Sequence, residues 1–234
     1  MSDDRRFSEM IATVARDLAA EPDLQHTLQR VVDLAAEHLG NDAYVGVSIV
    51  HKRGRVDTPA SSDDRAARAD QLQYELGEGP CLDAIWERET FGIGDLLHED
   101  RYPRWAHRVA EETGIRSSLS FQLFTSEDTL GALNVYSPHP AGFADRGREE
   151  GQVFAAQAAI ALQSARTEDN LRTALATRTL IGQAQGILME RYRMTADQAF
   201  DVLRLASQRS NVLLRDVADR LVQTGETPAV EPSD

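Results

Sequence analysis

Eight arginines, Arg172, Arg178, Arg191, Arg193, Arg204, Arg209, Arg215 and Arg220, stand against five acids between Leu171 and Val222, in a chain of 234 residues whose formal net charge is −13. A guanidinium binds phosphate through a fixed fork of donors and stacks on the plane of an unpaired base, so such a basic island is the footprint of a nucleic-acid site. The acidic remainder discourages adhesion elsewhere. Arg178, Arg204, Arg209 and Arg215 are the expected contacts to phosphate or loop bases, and Gln185, Ser207 and Asn211 supply donors and acceptors for base edges. If about four phosphates are neutralised per subunit, log affinity falls with log salt at a slope of about −3. The competing account is that each arginine merely solvates a helix face, in an ion pair worth about 0–1 kcal/mol.

Other chemistry is poorly supplied. Cys81 is the only cysteine, which rules out an internal disulfide and a cysteine cluster for zinc and fits a reducing compartment. A thiol at the start of a helix is acidified, so Cys81 is weighed as a redox sensor. His26, His38, His51, His98, His107 and His139 all precede the basic segment, and no two have the i, i+4 spacing of a helical metal site. Phosphate loop, dinucleotide glycine motif and nucleophile elbow are absent. Neither an enzyme nor a metal or other cofactor is expected. No apolar run approaches the roughly 18 residues of a membrane span, and the first ten residues, MSDDRRFSEM, are charged. The expectation is a soluble cytoplasmic protein without membrane attachment.

The arginines need elements to position them. Leu171, Ala174, Leu175, Ile181, Ala184 and Leu188 recur at helical spacing. Gly182 and Gly186, one turn apart, cost that helix about 2 kcal/mol relative to alanine, which implies close approach of another backbone, protein or nucleic acid. Thr195 with Gln198 forms a capping box, and Asp197 suits the dipole of the helix beginning there. That helix is expected to bury Ala196, Ala199, Phe200, Leu203 and Ala206, leaving Tyr192 as the aromatic outside the core. Asn211 is expected to cap a third helix carrying Leu214, Val217, Ala218 and Leu221. Three helices of this size make a compact bundle.

Upstream, two helical patterns cover residues 5–20 and 23–39, stopped at Gly40 and Asn41. Tyr44–Val50 reads as a strand entering a hairpin, with further strands at 91–93, 117–124 and 130–136, helices at 63–76 and 102–113, and a long helical pattern from Asp145. This is an α+β arrangement.

The order of these elements, with Gly46-Val47-Ser48-Ile49-Val50, the GEGPCLDA turn around Gly79-Pro80-Cys81, and Gly131-Ala132-Leu133-Asn134-Val135-Tyr136, resembles a GAF domain, the small-molecule sensing module built on an antiparallel sheet. The resemblance implies a ligand held between one sheet face and the connecting segments, with Cys81, Trp86, Phe121 and Tyr136 as candidate walls and an unidentified small-molecule effector. Core packing is the competing account of all four. Lys52, the only lysine, gives no cyclic-nucleotide signature, and one cysteine cannot run the disulfide cycle of a sulfoxide reductase of this fold.

The basic segment resembles an ANTAR domain on Arg178, Ile181-Gly182, Ala184, Gly186-Ile187-Leu188-Met189, Ala199-Phe200, Leu203-Arg204, Ser207, Asn211, Leu214 and Val217-Ala218. That implies a dimer that binds paired RNA stem-loops in a nascent transcript and blocks a terminator. Gln185 stands where many members have lysine, exchanging a charge for an amide. The expected domains are an N-terminal helix (1–22), a GAF-like sensor (23–165), an all-α three-helix ANTAR-like bundle (166–223) joined to it by a long helix, and a disordered tail (224–234). The polar patch Arg166–Asn170 is the expected weak joint. Strand Tyr44–Val50 ends in His51-Lys52, so the phosphorylated aspartate of relatives with a receiver domain is not apparent, and the sensor is expected to take its place. Two rivals remain: a helix-turn-helix for duplex DNA, and a ligand-sensing protein-interaction module.

Overall fold

The computed structural model describes residues 3–226 apart from 41, 88, 126, 127 and 144, and divides the chain into two compact units, 1–167 and 168–234. In chain order the first unit contains α1 (Asp3–Ala19), α2 (Leu24–His38), β1 (Tyr44–Val50), β2 (Val56–Ser61), α3 (Asp64–Leu76), α4 (Pro80–Glu87), β3 (Phe91–Ile93), α5 (Pro103–Thr113), β4 (Ser117–Phe124) and β5 (Thr129–Ser137). Helix α6 (Asp145–Tyr192) is unbroken across the division, and α7 (Ala196–Ser210) and α8 (Leu214–Thr224) follow. The expected tail lies outside the described residues from position 227 on, as does Asn41 of the expected helix stop.

Five antiparallel strands form one sheet in the order β2-β1-β5-β4-β3. Alternation of period two splits the central strands. Val45, Val47, Leu119, Phe121, Leu123, Leu133 and Val135 face one side, where they join Val14 and Leu18 of α1, Leu28, Val31 and Ala35 of α2, and Phe154, Ala158 and Leu162 of α6 in one core. The neighbouring residues Ser48, Ser118, Ser120, Gln122, Asn134 and Tyr136 are also buried, on the opposite face. Register makes this possible only with glycine at Gly131, where a Cβ would lie 1.7 Å from the Ser48 carbonyl oxygen.

In the second unit, Ala184 and Leu188 of α6, Ala199, Leu203 and Ala206 of α7, and Val217, Ala218 and Leu221 of α8 make a separate core. Two expectations about α7 are corrected. Ala196 and Phe200 are exposed, because the small residues Ala199 and Ala206 let the helices approach closely and leave no room for a ring at the margin of the stripe. Asn211 ends α7 instead of starting α8: it adopts the left-handed conformation (φ 53°) that asparagine tolerates, and Leu213 precedes α8 without a side-chain cap. The capping box at the start of α7 is formed, with Thr195 Oγ1 accepting from the Gln198 amide at 3.3 Å and Gln198 Oε1 accepting from the Thr195 amide at 2.9 Å.

Thr195→Ala removes one half of that box and is expected to lower the stability of the helical unit by about 1 kcal/mol. Thermal unfolding followed by circular dichroism checks it, and an unchanged transition would contradict it.

Candidate nucleic-acid interface and buried polar site

Beneath α3 and α4, the polar sheet face forms a closed hydrogen-bond network. The Asp70 carboxylate, fully buried, accepts from Thr58 Oγ1 at 2.9 Å, Asn134 Nδ2 at 2.9 Å and Tyr136 OH at 2.5 Å. Ser48 Oγ lies 2.6 Å from Tyr74 OH and accepts from Asn134 Nδ2 at 2.9 Å and Cys81 Sγ at 3.1 Å. Gln73 bridges two elements: its Nε2 donates to Tyr136 OH at 3.1 Å, and its Oε1 accepts from the Cys81 amide at 2.8 Å. Glycine makes both approaches possible. A Cβ at Gly46 would lie 2.4 Å from Asp70 Oδ2, and one at Gly79, whose φ is +147°, would lie 2.2 Å from Gln73 Oε1. Three buried atoms on this face, Ser118 Oγ, Ser120 Oγ and Asn134 Oδ1, have no hydrogen-bond partner among the described residues. Buried polar atoms are rarely left so.

Burial dominates the protonation of this cluster. It pushes the Asp70 carboxyl up to about 7, against the three donors that lower it, and pushes the Cys81 thiol up to about 12. The acidified thiol weighed for Cys81 does not form: the residue lies in the first turn of α4, but desolvation and the nearby Asp70 charge outweigh the helix terminus. Of the four candidate walls, Cys81 and Tyr136 belong to this network, while Phe121 points into the apolar core on the other face, where the missing side chain of Gly151 makes room for its ring. Trp86 is 58% exposed. Sequence reasoning missed Asp70, Gln73, Tyr74, Thr58 and Ser48. Ser48 and Asn134 carried a signal, as polar residues at alternate positions of otherwise apolar strands.

The second unit presents the arginines at its surface. Arg178, Arg204, Arg209 and Arg215 are exposed, Ser207 is half-buried, and Asn211 is exposed. Arg204 pairs with Asp201 at 2.9 Å and Arg215 with Asp216 at 3.1 Å. Ser207 donates to the Val212 carbonyl at 2.6 Å and so serves the turn between α7 and α8. Arg178 makes no ion pair among the described residues, and together with Gln185 and the exposed Phe200 it borders a surface cavity of about 450 Å³. The expected RNA contacts are thus not one cluster: Arg178 and Gln185 converge, and the others are distributed over α7 and α8.

No helix is long and apolar enough to cross a membrane, and no three histidine, cysteine, aspartate or glutamate side chains are grouped to hold a metal ion, among the described residues.

Residues 21–163 match the GAF domain family, and residues 169–222 match the ANTAR domain family. No curated protein matches the chain. Among solved structures, the GAF domain of a phosphoenolpyruvate-protein phosphotransferase from Coxiella burnetii is similar at 18% identity and a TM-score of 0.57, over 72% of this chain and 99% of that one. The corresponding domain from Acinetobacter is similar at 16% identity and a TM-score of 0.55, over 73% and 99%. Free methionine-R-sulfoxide reductase from Neisseria meningitidis is similar at 18% identity and a TM-score of 0.55, over 72% and 95%. At these identities the likeness is one of fold.

The Asp70 carboxyl has a folded pKa raised from 3.8 to about 7, so its stabilising contribution is complete below the unfolded value and is lost as pH rises through about 7. Asp63, lowered to about 2 by Arg65, and Asp95, lowered by Arg116, act in the opposite direction but only in more acid solution. The melting temperature of the first unit is therefore expected to fall between about pH 5 and pH 8, and Asp70→Asn to flatten that slope. Calorimetry across the range checks it; the same slope in both proteins would refute the assignment.

Proposed function

The chain belongs to the GAF domain family and carries an ANTAR domain, and from that premise we propose that it is an RNA-binding transcription antitermination regulator whose sensor unit controls binding to stem-loops in nascent transcripts. The observation that carries this reading is the exposed arginine surface of the second unit, in which Arg178 has no counter-ion among the described residues. A guanidinium without a carboxylate beside it is available to phosphate at no cost of breaking a pair. RNA is favoured over duplex DNA because the exposed side of α8 alternates Arg215, Asp216, Asp219 and Arg220, and those acids would repel the phosphates flanking a groove.

The regulator acts by binding and not by catalysis. A redox cycle of the kind a sulfoxide reductase performs needs cooperating thiols, whereas Cys81 is single, buried and held as a thiol. The buried polar face supports a small polar effector, whose groups would meet Ser118 Oγ, Ser120 Oγ and Asn134 Oδ1. The site of action is the cytoplasm, where transcripts are made.

The exposed side of α6 supports a homodimer. Leu171 and Leu175 are 60% and 64% exposed, and Gly182, Gly186 and Met189 continue the same side of the helix. A Cβ at Gly182 or Gly186 would meet nothing within 4 Å among the described residues, so no packing among them accounts for the loss of helix propensity there. A second copy of α6, approaching closely along this side, does account for it.

Crosslinking the protein to cellular RNA and sequencing what is bound is expected to recover stem-loop pairs. These bind in mobility-shift assays in preference to the matching DNA duplex, with a salt slope of about −3 per subunit. Failure to retard any stem-loop in dilute buffer, whether or not candidate effectors are added, would end the proposal. Gly186→Ala is expected to weaken the dimer in sedimentation analysis while raising helix stability by about 1 kcal/mol. An unchanged dimer would remove α6 from the interface.

A further inference from the structure

We propose that the cavity between α6 and α7 is a pocket for one unpaired RNA base, with Phe200 as its stacking platform, a site that rests on the RNA-binding reading above. Its lining is Ala174, Thr177, Arg178, Ile181 and Gln185 from α6 and Phe200 from α7. At about 450 Å³ it lies within the range of roughly 300–1,000 Å³ for small-ligand pockets.

Three features of the lining select a nucleobase. The Phe200 ring is 38% exposed although α7 has an apolar stripe in which a phenylalanine would ordinarily be buried, and it forms no aromatic pair among the described residues. A flat apolar face held at the surface of a cavity is what base stacking uses. Gln185 Nε2 donates one of its two N–H groups to the Ala196 carbonyl at 2.9 Å. The side chain is thereby held in one orientation, leaving Oε1 as an acceptor and the second N–H as a donor for a base edge. Arg178 brings a cation to the same cavity with no counter-ion among the described residues, and no carboxylate lines it. Apolar face, fixed acceptor and cation correspond in order to base, base edge and phosphate.

Charge suits this occupant, since RNA brings phosphate to Arg178. The side of α6 assigned above to the dimer is marked by Leu171, Leu175, Gly182 and Met189, none of which lines the cavity.

The test uses the full chain and a stem-loop it retards, with 2-aminopurine placed at each loop position in turn. Wild-type protein is expected to change the fluorescence sharply at one loop position. Phe200→Leu, which keeps the apolar volume and removes the π face, is expected to bind roughly 5- to 150-fold more weakly and to lose that signal, while Phe200→Tyr keeps both within a few-fold. Arg178→Gln is expected to reduce the magnitude of the salt slope by about one phosphate contact. If wild-type protein binds the stem-loop and Phe200→Leu binds it equally well, the pocket is refuted and RNA binding stands. If Phe200→Leu changes the sedimenting species, the ring belongs to a protein interface and the pocket is again refuted. If wild-type protein binds no stem-loop, both readings fall together.

Discussion

A carboxyl group with no access to water sets the terms for the first unit. Burying Asp70 is unfavourable unless donors meet it, and the chain meets it with three donors from two strands: Thr58 on β2, and Asn134 and Tyr136 on β5. Those donors are in place only if β1, β5 and α3 keep their register, and Gly46 and Gly131 are required for the strands and the carboxylate to come that close. The sheet therefore has two unlike faces. One is held by apolar burial against α1, α2 and α6, where many interchangeable contacts suffice. The other is held by a small number of directional bonds, where each partner is specific.

This asymmetry makes the two faces respond differently to an added polar group. A polar network that is almost satisfied changes its balance when one more donor or acceptor arrives, and Ser118, Ser120 and Asn134 each retain an unpaired atom there. An apolar core has no such vacancy for a polar group. The same network silences Cys81, whose thiol donates to Ser48 and whose ionisation would place a second negative charge beside Asp70.

The helical unit follows another economy. Its core is small, and alanines at 184, 199, 206 and 218 bring three helices together closely enough to exclude larger neighbours. Exclusion is what leaves Phe200 at the surface, and it concentrates side chains of mixed character along α6: Leu171 and Leu175 with the two glycines, then Arg178 and Gln185 beside the cavity. A stable bundle and a set of surfaces for other molecules are two outcomes of the same packing.

Charge, helical period and strand alternation lie in local order along the chain, so the sequence by itself determined the antiparallel α+β unit, the three-helix unit, the capping box at Thr195 and the basic island. These depend on residues at most a few positions apart or on composition. What only tertiary structure decided depends on partners far apart in the chain. Asp70 reads as one of many acids on an amphipathic helix until Asn134 and Tyr136 are brought to it across 64 and 66 residues. Phe200 reads as core until the width of the helix contact is known, and Cys81 reads as a candidate sensor thiol until its burial is counted. In each case the residue type was legible and its environment was not, because burial and electrostatics are set by which distant segments close over a side chain.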